Sequence, residues 1–456
     1  MSPTLAIAGA ARRAARRAYD AGPLAVAGRR QHRAEIASLR DAPWESSHEM
    51  DRLRLRLLNV SIQRAARHSP FYQEVLGTGT PVFQELDELA RLPVTSQADI
   101  RAAGLDRATP GGWLRRRRTW RTSGSAGRPF SFTIDLSYPI RHEAQRAFVY
   151  LEAGLAPGSR IVEMLPSKRR TSKSELSYPT FRRCIVGYRG EGLGKAVQSA
   201  RPRLLYGNRS HLLQVADELE SARLRLDVPF VCSSSETLHP ADASRLAGFF
   251  SARVFEIYGS AEGGNIAFRL AADAPWTILE PRVLVEVLDD RRCPVRHGDI
   301  GELVLTTLTE PTSPLIRYAT GDLARVDAGS ATGASGLRLA TLEGRSSDAL
   351  VDRAGNRVSF WAIASPRFWT RQPVVRHVAR WRIHQRVDGT LDVQLELTPD
   401  GALAAVLPAV THHLHSLLGP VPVRIVETPR VQDPDAGKFR AVTSDARPAV
   451  GHEVRA

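Results

Sequence analysis

The chain has 456 residues, which is more than one hydrophobic core usually organises and indicates roughly two to four folded units. Hydrophobic residues make up 43% and charged residues 24%, as in globular proteins, and the absence of a long apolar run predicts no membrane span. The formal net charge is +15, but only four of the 63 basic residues are lysines, and the arginines are spread along the chain without an aromatic-interleaved stripe, so we expect no nucleic-acid partner.

The N-terminal segment and the cysteines bear on where the protein works. Residues 1–30 are rich in alanine and arginine and lack the apolar centre of a secretory signal. We expect an amphipathic helix that packs on the body, with a surface helix touching anionic lipid as the alternative. Cys184, Cys232 and Cys293 lie far apart and show no metal-ligand spacing, which fits a reducing cytoplasm.

The first 75 residues are predicted to be mainly helical, because Leu53, Leu57 and Val60 recur at helical spacing until Ser69-Pro70. From about residue 118 the pattern becomes α/β, and strands that alternate with longer helices predict a largely parallel sheet. The predicted strands span 161–165, 204–206, 230–232 and 254–258. The predicted helices are one capped by Ser210, with Leu212, Val215, Ala216 and Leu219 inside, and one over 241–250.

The pattern changes again after residue 283. Segments 283–288, 302–307 and 315–318 follow one another at short distances, which predicts a small barrel or an antiparallel sheet. After Gly344 a smaller unit begins, with strands near 377–397, a helix near 402–417 and a strand over 421–426. The predicted fold class is therefore α/β, with a large N-terminal part that combines parallel sheets and a small barrel-like part, and a small α/β C-terminal domain.

Residues 121–129 carry the strongest local signal for ligand binding. They read Arg-Thr-Ser-Gly-Ser-Ala-Gly-Arg-Pro, which differs from the P-loop pattern of nucleotide-binding proteins. Small residues let a polyphosphate approach the backbone amides, and Arg128 supplies charge. An ordinary flexible loop is the alternative, since serine and glycine favour loops.

Three later motifs supply two candidate ligand carboxylates and a candidate hinge between domains. Glu262 ends the motif Tyr-Gly-Ser-Ala-Glu after a predicted strand and suits Mg²⁺, although a solvated turn would look the same. Asp322, in a tight turn, can accept both hydroxyls of a ribose or form an Asx turn. Residues 344–348 (Gly-Arg-Ser-Ser-Asp) precede the C-terminal unit, where a hinge would lie.

The order and spacing of these motifs resemble those of the adenylate-forming superfamily of acyl-CoA synthetases and related ligases. Within it the chain is most similar to the phenylacetate–CoA ligase and capsule-biosynthesis (CapK-like) branch. The resemblance runs through most of the chain, and further matching segments are 69–72 (Ser-Pro-Phe-Tyr), 92–95 (Leu-Pro-Val-Thr), 234–236 (Ser-Ser-Glu), 301–304 (Gly-Glu-Leu-Val) and 314–318 (Pro-Leu-Ile-Arg-Tyr).

The resemblance implies an organisation and a set of roles. It implies a helical region (1–117) packed on an adenylation core (118–345), and a small mobile C-terminal domain (349–456) after a hinge at 346–348 that includes Asp348. It also implies ATP and Mg²⁺ as cofactors. The implied site residues are Thr122, Ser123, Gly124, Ser125, Gly127 and Arg128 for the phosphates, Ser235, Glu236, Tyr258, Gly259, Asp322 and Arg345 for adenine and ribose, and Glu262 for Mg²⁺.

The family also places a catalytic lysine after a glycine on a late C-terminal loop, and here Lys438 follows Gly437. Displacement at the α-phosphorus builds charge on the phosphate and the attacking carboxylate, and an ammonium can bridge both. Because lysine is otherwise nearly absent, its presence at this position favours the catalytic interpretation over a surface lysine in a tail loop.

The chain departs from the family pattern at two positions of the phosphate loop. Ala126 stands where a second threonine is common and Arg128 where a lysine is common, and both changes predict slower adenylation. They also leave open a second hypothesis, a nucleotide-binding or scaffold protein without turnover. Some relatives bind structural zinc in the later part of the chain, but only Cys293 and His297 are available there, so we expect no zinc.

The leading prediction is a ligase that converts a carboxylic acid and ATP into an acyl-adenylate and transfers the acyl group to an acceptor. Coenzyme A is the usual acceptor of the family, while a carrier-protein thiol, an amine, an alcohol or a reaction that stops at adenylyl transfer stays open. By analogy the acid lies between Tyr206, Gly207 and Asn208 on one side and Gly263 and Gly264 on the other, where glycines would leave space for an aromatic or bulky acid.

Overall fold

A computed structural model describes most of the chain. The described residues are 23–44, 46–77, 79, 81–109, 117–121, 130–166, 171–177, 180–188, 192–310, 312–330, 336–345, 349–358, 360–363, 368, 375–429, 431, 441–446 and 454–455. The phosphate-loop residues 122–128, the hinge residues 346–348 and Lys438 lie outside them.

The N-terminal part of the described chain is helical, as predicted. Ile36 and Leu39 of its first helix are buried against the helix Tyr138–Glu152, which follows later in the chain. The elements are α1 (Pro23–Arg40), α2 (Ser47–His68), α3 (Pro70–Leu76), a 3₁₀ helix (Leu86–Arg91), α4 (Gln97–Ala103) and α5 (Leu105–Ala108).

The inward face of α2 differs from the predicted one. The spacing places Leu53, Leu57 and Val60 on one apolar face, but Val60 is 51% exposed. Arg54 is buried instead, and its guanidinium lies 3.4 Å from Asp51 and 3.9 Å from Glu280. A buried charge is tolerated only where it is paired, and here one partner comes from a distant part of the chain that local periodicity cannot reveal. The buried positions of α2 are Met50, Arg54, Leu58, Ser61, Ile62 and Ala65.

The central part alternates between strands and helices. A hairpin of β1 (Arg117–Arg121) and β2 (Ser131–Asp135) flanks residues 122–129. The following elements are α6 (Tyr138–Glu152), β3 (Arg160–Pro166), β4 (Thr171–Ser177), β5 (Arg182–Tyr188), α7 (Leu193–Ala200), β6 (Leu204–Gly207), α8 (Arg209–Ser221), β7 (Phe230–Ser234), α9 (Pro240–Phe250) and β8 (Arg253–Ser260). Strands β5, β3, β6, β7 and β8 pair in parallel in that order, as the alternation predicts.

Antiparallel strands extend the same sheet. They are β9 (Gly264–Arg269), β10 (Trp276–Ile278), β11 (Val283–Leu288), β12 (Ile300–Thr307), β13 (Tyr318–Val326) and β14 (Arg338–Arg345). The full order is β11-β12-β13-β14-β10-β9-β8-β7-β6-β3-β5-β4, so the antiparallel alternative, and not a separate barrel, describes this region. The strand predicted over 315–318 was wrong, because Arg317 adopts a φ of +42° and the strand begins only at Tyr318.

The C-terminal part has a hydrophobic core of its own. Its elements are β15 (Leu350–Val351), β16 (Arg357–Val358), α10 (Phe360–Ile363), a 3₁₀ helix (Val375–His377), β17 (Val378–Gln385), β18 (Leu391–Leu397), α11 (Leu403–Leu418), β19 (Val423–Glu427), β20 (Val442–Ser444) and β21 (Val454–Arg455). One sheet has the order β15-β16-β21 and the other β19-β18-β17-β20, with α11 packed on the core through Val406, Val410, Leu414 and Leu418.

Candidate functional site

Three adjacent parallel strands end at one edge of the large sheet, and most described candidate residues lie just there. Tyr206 and Gly207 end β6 and Asn208 follows it, Ser235 and Glu236 follow β7, and residues 258–260 end β8, with 261 and 262 in the turn after it. The strands are in register, with Tyr206 opposite Cys232 and Ser234 opposite Ile257. Ligands of open α/β sheets bind at the carboxyl ends of their strands, so the fold brings these segments to one candidate site.

Glu236 and Asn208 meet at the start of α8. The Glu236 carboxylate accepts hydrogen bonds from the Ser210 backbone N–H at 2.8 Å, from Ser210 Oγ at 2.9 Å and from Asn208 Nδ2 at 3.4 Å. A carboxylate at a helix N-terminus satisfies free N–H groups and the helix dipole. The prediction that Ser210 caps the helix was therefore wrong. Asn208 is the cap residue, and Ser210 already lies in the first turn.

Tyr258, Asp322 and Arg345 form a hydrogen-bonded group. The Tyr258 hydroxyl donates to Asp322 Oδ2 at 2.6 Å, and Arg345 Nε lies 3.5 Å from Asp322 Oδ1. Asp322 and Arg345 are cross-strand partners on β13 and β14. Burial raises the pKa of Tyr258, and the neighbouring Asp322 carboxylate raises it further, so the phenol stays a donor. The group thus unites three residues that the sequence offered separately for adenine and ribose.

Glu262 lies close to this group and offers a carboxylate for a cation. Its Oε1 accepts a hydrogen bond from the Tyr318 hydroxyl at 3.2 Å, and burial raises the pKa of Glu262 above its ordinary value. A half-buried carboxylate that accepts from the Tyr318 hydroxyl and from its own backbone N–H still keeps lone pairs for a ligand. A single carboxylate that acts together with substrate phosphates is a usual way to hold Mg²⁺, so Glu262 fits the role.

The glycines near the predicted acid pocket serve close packing, not open space. A β-carbon on Gly264, where φ is +73°, would lie 1.8 Å from His142 Cε1, and one on Gly263 would lie 2.5 Å from Leu305. At Gly207 the same atom would lie 2.4 Å from Met164 Cε. The expectation that these glycines leave space for a bulky acid was therefore wrong, because neighbouring side chains already fill the space.

Close packing also explains why a glycine stands at position 259. A β-carbon there would lie 2.2 Å from the Gly264 carbonyl oxygen across an irregular β8–β9 pairing. Gly259 is thus required where two backbones approach each other, and Ser235, at the end of β7, holds an unusual positive φ of 70°. Both positions shape the edge of the site through their backbones.

Sequence reasoning missed a polar cluster on α6 that contacts the glycines. The Tyr138 ring packs 4.0 Å from the His142 ring, and the Tyr138 hydroxyl donates to the Ala261 carbonyl. His142 Nε2 lies 3.3 Å from Glu310 Oε1, and Arg141 donates to Glu310 Oε2 at 2.8 Å. Burial alone would raise the pKa of Glu310, but His142 and Arg141 outweigh it and hold the pKa below its ordinary value. The position of α6 directly after the predicted phosphate loop was the one available signal.

The described residues contain neither membrane-spanning helices nor clusters of metal-binding side chains. None of the helices in the described ranges is long and apolar enough to cross a bilayer. Within the same ranges, His, Cys, Asp and Glu side chains form no group of three or more that would hold a metal ion by themselves.

The chain is similar in sequence to curated ligases. It is 26% identical over 448 residues to the phenylacetate–coenzyme A ligase of Aromatoleum evansii, covering 88% of this chain and 96% of that protein. It is also 26% identical over 388 residues to the phenylacetate–coenzyme A ligase of Thermus thermophilus, covering 78% of this chain and 81% of that protein. No family model matches the chain.

Solved structures agree on the fold. A 2-hydroxyisobutyryl-CoA ligase in the postadenylation state, in complex with 2-HIB-AMP, has a TM-score of 0.68 at 19% identity and covers 87% of this chain and 89% of its own. ATP-bound MatB from Rhodopseudomonas palustris has a TM-score of 0.52 at 16% identity and covers 71% of this chain and 66% of its own. The two curated relatives confirm the predicted resemblance to phenylacetate–coenzyme A ligases, and the solved structures confirm the predicted α/β fold class.

Proposed function

We propose that the chain is an adenylate-forming acid–thiol ligase that activates a carboxylic acid with ATP and transfers the acyl group to the thiol of coenzyme A, a proposal supported by its similarity to phenylacetate–coenzyme A ligases. The observation that carries the proposal is the group formed by Tyr258, Asp322 and Arg345 beside Glu262, at the carboxyl edge of the sheet. This arrangement supplies ribose and cation contacts in one place.

In the first half-reaction, a carboxylate oxygen of the acid attacks the α-phosphorus of ATP and pyrophosphate leaves. Asp322, held by Tyr258 and Arg345, would accept the ribose hydroxyls and so fix the nucleotide. Residues 122–128 would receive the phosphates, with Arg128 as their cation. Glu262 would hold Mg²⁺, which neutralises phosphate charge when bound.

In the second half-reaction, the thiol sulfur attacks the acyl carbon and AMP leaves with the bonding electrons. Coenzyme A is the proposed acceptor, and it is supported by relatives that are named as coenzyme A ligases over most of their length. A carrier-protein thiol, an amine or an alcohol would replace it only if purified protein adenylated an acid but released no acyl-CoA.

Isotope exchange between ATP and pyrophosphate over a panel of acids tests the proposal. Lys438→Ala should lower exchange about 10²- to 10³-fold, because one charged donor to the transition state is removed. Lys195→Ala is the matched control, since Lys195 is an exposed lysine on α7 and is not one of the candidate-site residues. Absence of exchange with every acid, or equal exchange in both variants, would contradict the assignment.

A further inference from the structure

Three arginines occupy equivalent positions on three neighbouring strands, at the edge of the sheet opposite the candidate site. Arg160 begins β3 and pairs in register with Arg182, which begins β5. Arg203 precedes β6, and its backbone N–H donates to the Arg160 carbonyl at 2.9 Å. Neighbouring strands are about 4.8 Å apart, so this arginine ladder concentrates three positive charges in a small area.

The arginine ladder borders a cavity of about 730 Å³. Arg201 lines it as a fourth arginine, together with residues 157–159 and Ser199, and none of these lining residues is acidic. Two guanidinium groups are anchored to main-chain carbonyls, Arg182 Nε to Gly158 at 3.1 Å and Arg160 to Ala200 at 3.2 Å. Anchoring of this kind orients arginine side chains before a ligand arrives.

Such an arrangement is unfavourable without a counter-charge, because like charges on directly opposed strand positions destabilise a sheet. The protein neutralises buried arginines with carboxylates, as in Arg183–Glu163 and Arg269–Glu256. The exposed Arg182, Arg201 and Arg203 form no ion pair with any residue in the described part of the chain, so their charge is available to an anionic ligand. An arginine-rich composition scatters single arginines over a surface but gives no reason for three in register.

We infer that this cavity binds a small molecule with two or more phosphate groups. Guanidinium groups match phosphate oxygens in bidentate geometry and stay charged at every physiological pH. The cavity is open to solvent and large enough for a polyphosphate rather than a single ion. Since the strands are parallel, the arginine ladder at their amino ends is separate from the ATP site proposed at their carboxyl ends, and the inference does not depend on the adenylation activity.

Titration calorimetry of the full chain with inorganic tripolyphosphate tests this site. The double variant Arg182→Gln, Arg203→Gln should bind the probe at the ladder at least about tenfold more weakly, because charge-assisted hydrogen bonds are lost. The double variant Arg52→Gln, Arg56→Gln removes the same net charge from exposed positions of α2 and should bind like the wild type. ATP–pyrophosphate exchange should be unchanged in both variants.

A lysine variant and a second probe distinguish loss of phosphate binding from loss of folding and from binding of an acidic protein. If the glutamine variant fails to fold, Arg182→Lys, Arg203→Lys keeps the charge and should still weaken binding, because bidentate geometry is lost. Equal tripolyphosphate affinity in the wild type, the ladder variants and the α2 control would overturn the inference. Tighter, ladder-dependent binding of poly-glutamate than of tripolyphosphate would also overturn it, since it would identify an acidic protein as the partner.

Discussion

At Gly264 the backbone has a φ of +73°, and a β-carbon there would meet the His142 ring at 1.8 Å. Gly264→Ala should therefore lower the free energy of unfolding by about 1–3 kcal/mol, through backbone strain and displacement of His142. Urea unfolding measures the change. Gly248→Ala is the matched control, because Gly248 lies in α9 with nothing within 4 Å of the added carbon, and it should stabilise by about 0.5–1 kcal/mol. Equal effects at the two positions would contradict the packing role.

Tyr258 holds Asp322 through a hydrogen bond of 2.6 Å. Tyr258→Phe should raise the KM for ATP about tenfold, since a hydrogen bond to a charged group contributes about 1.5–3 kcal/mol, and should leave the KM for coenzyme A nearly unchanged. Tyr72→Phe provides the control. Its hydroxyl donates to the Pro314 carbonyl at 2.8 Å in the N-terminal core, so that change should reduce stability without altering the KM for ATP. A raised KM in both variants would indicate a general structural effect.

At the scale of single elements, the start of α9 contains a buried titratable group. Burial and, to a lesser extent, the nearby Arg209 lower the pKa of His239 to about 4, against the opposing effect of Asp242. The unfolded chain therefore binds more protons than the folded one between pH 6.5 and about 4, so stability is full above pH 6.5 and is lost as pH falls through this window. The loss should reach about 3 kcal/mol at the lower limit.

Unfolding of His239→Gln between pH 4 and pH 7 checks this expectation. The variant cannot take up the proton, so its free energy of unfolding should depend less on pH than that of the wild type. His384→Gln is a suitable control, because His384 is partly exposed on β17 and pairs with Asp445 at 3.4 Å. A pH profile that is identical in the wild type and His239→Gln would refute the assignment.

Elements also show where local patterns suffice. Strands β3, β6, β7 and β8 and helices α8 and α9 begin and end close to their predicted limits, because alternation of short apolar strands and amphipathic helices is a local property. The prediction of which face of α2 points inward was wrong, since the burial of Arg54 depends on Glu280 of another segment. The strand limit at Arg317 was wrong because a buried pair with Glu286 at 2.8 Å accompanies a backbone turn that apolar residues do not signal.

At the scale of the whole molecule, the C-terminal part has its own core, and we propose that it rotates about residues 346–348 between the half-reactions. Asp348→Pro would restrict that rotation, because proline fixes φ. We expect ATP–pyrophosphate exchange to persist within about threefold, while acyl-CoA formation falls at least tenfold. Asp348→Ala serves as the control, because it removes the side chain without fixing φ, and should support both steps. Equal loss of both half-reactions in Asp348→Pro would argue against a hinge at this position.

The amino-acid sequence by itself determined the α/β class, the alternation of strands and helices, and the series of motifs from the loop at 121–129 to Lys438, because each depends on neighbouring residues. Only the tertiary structure decided which distant groups meet. It joined Tyr258 to Asp322 and Arg345, placed His142 against Gly264 and aligned Arg160, Arg182 and Arg203 in one ladder. These contacts depend on strand pairing and close packing between segments far apart in the chain, which no local pattern encodes.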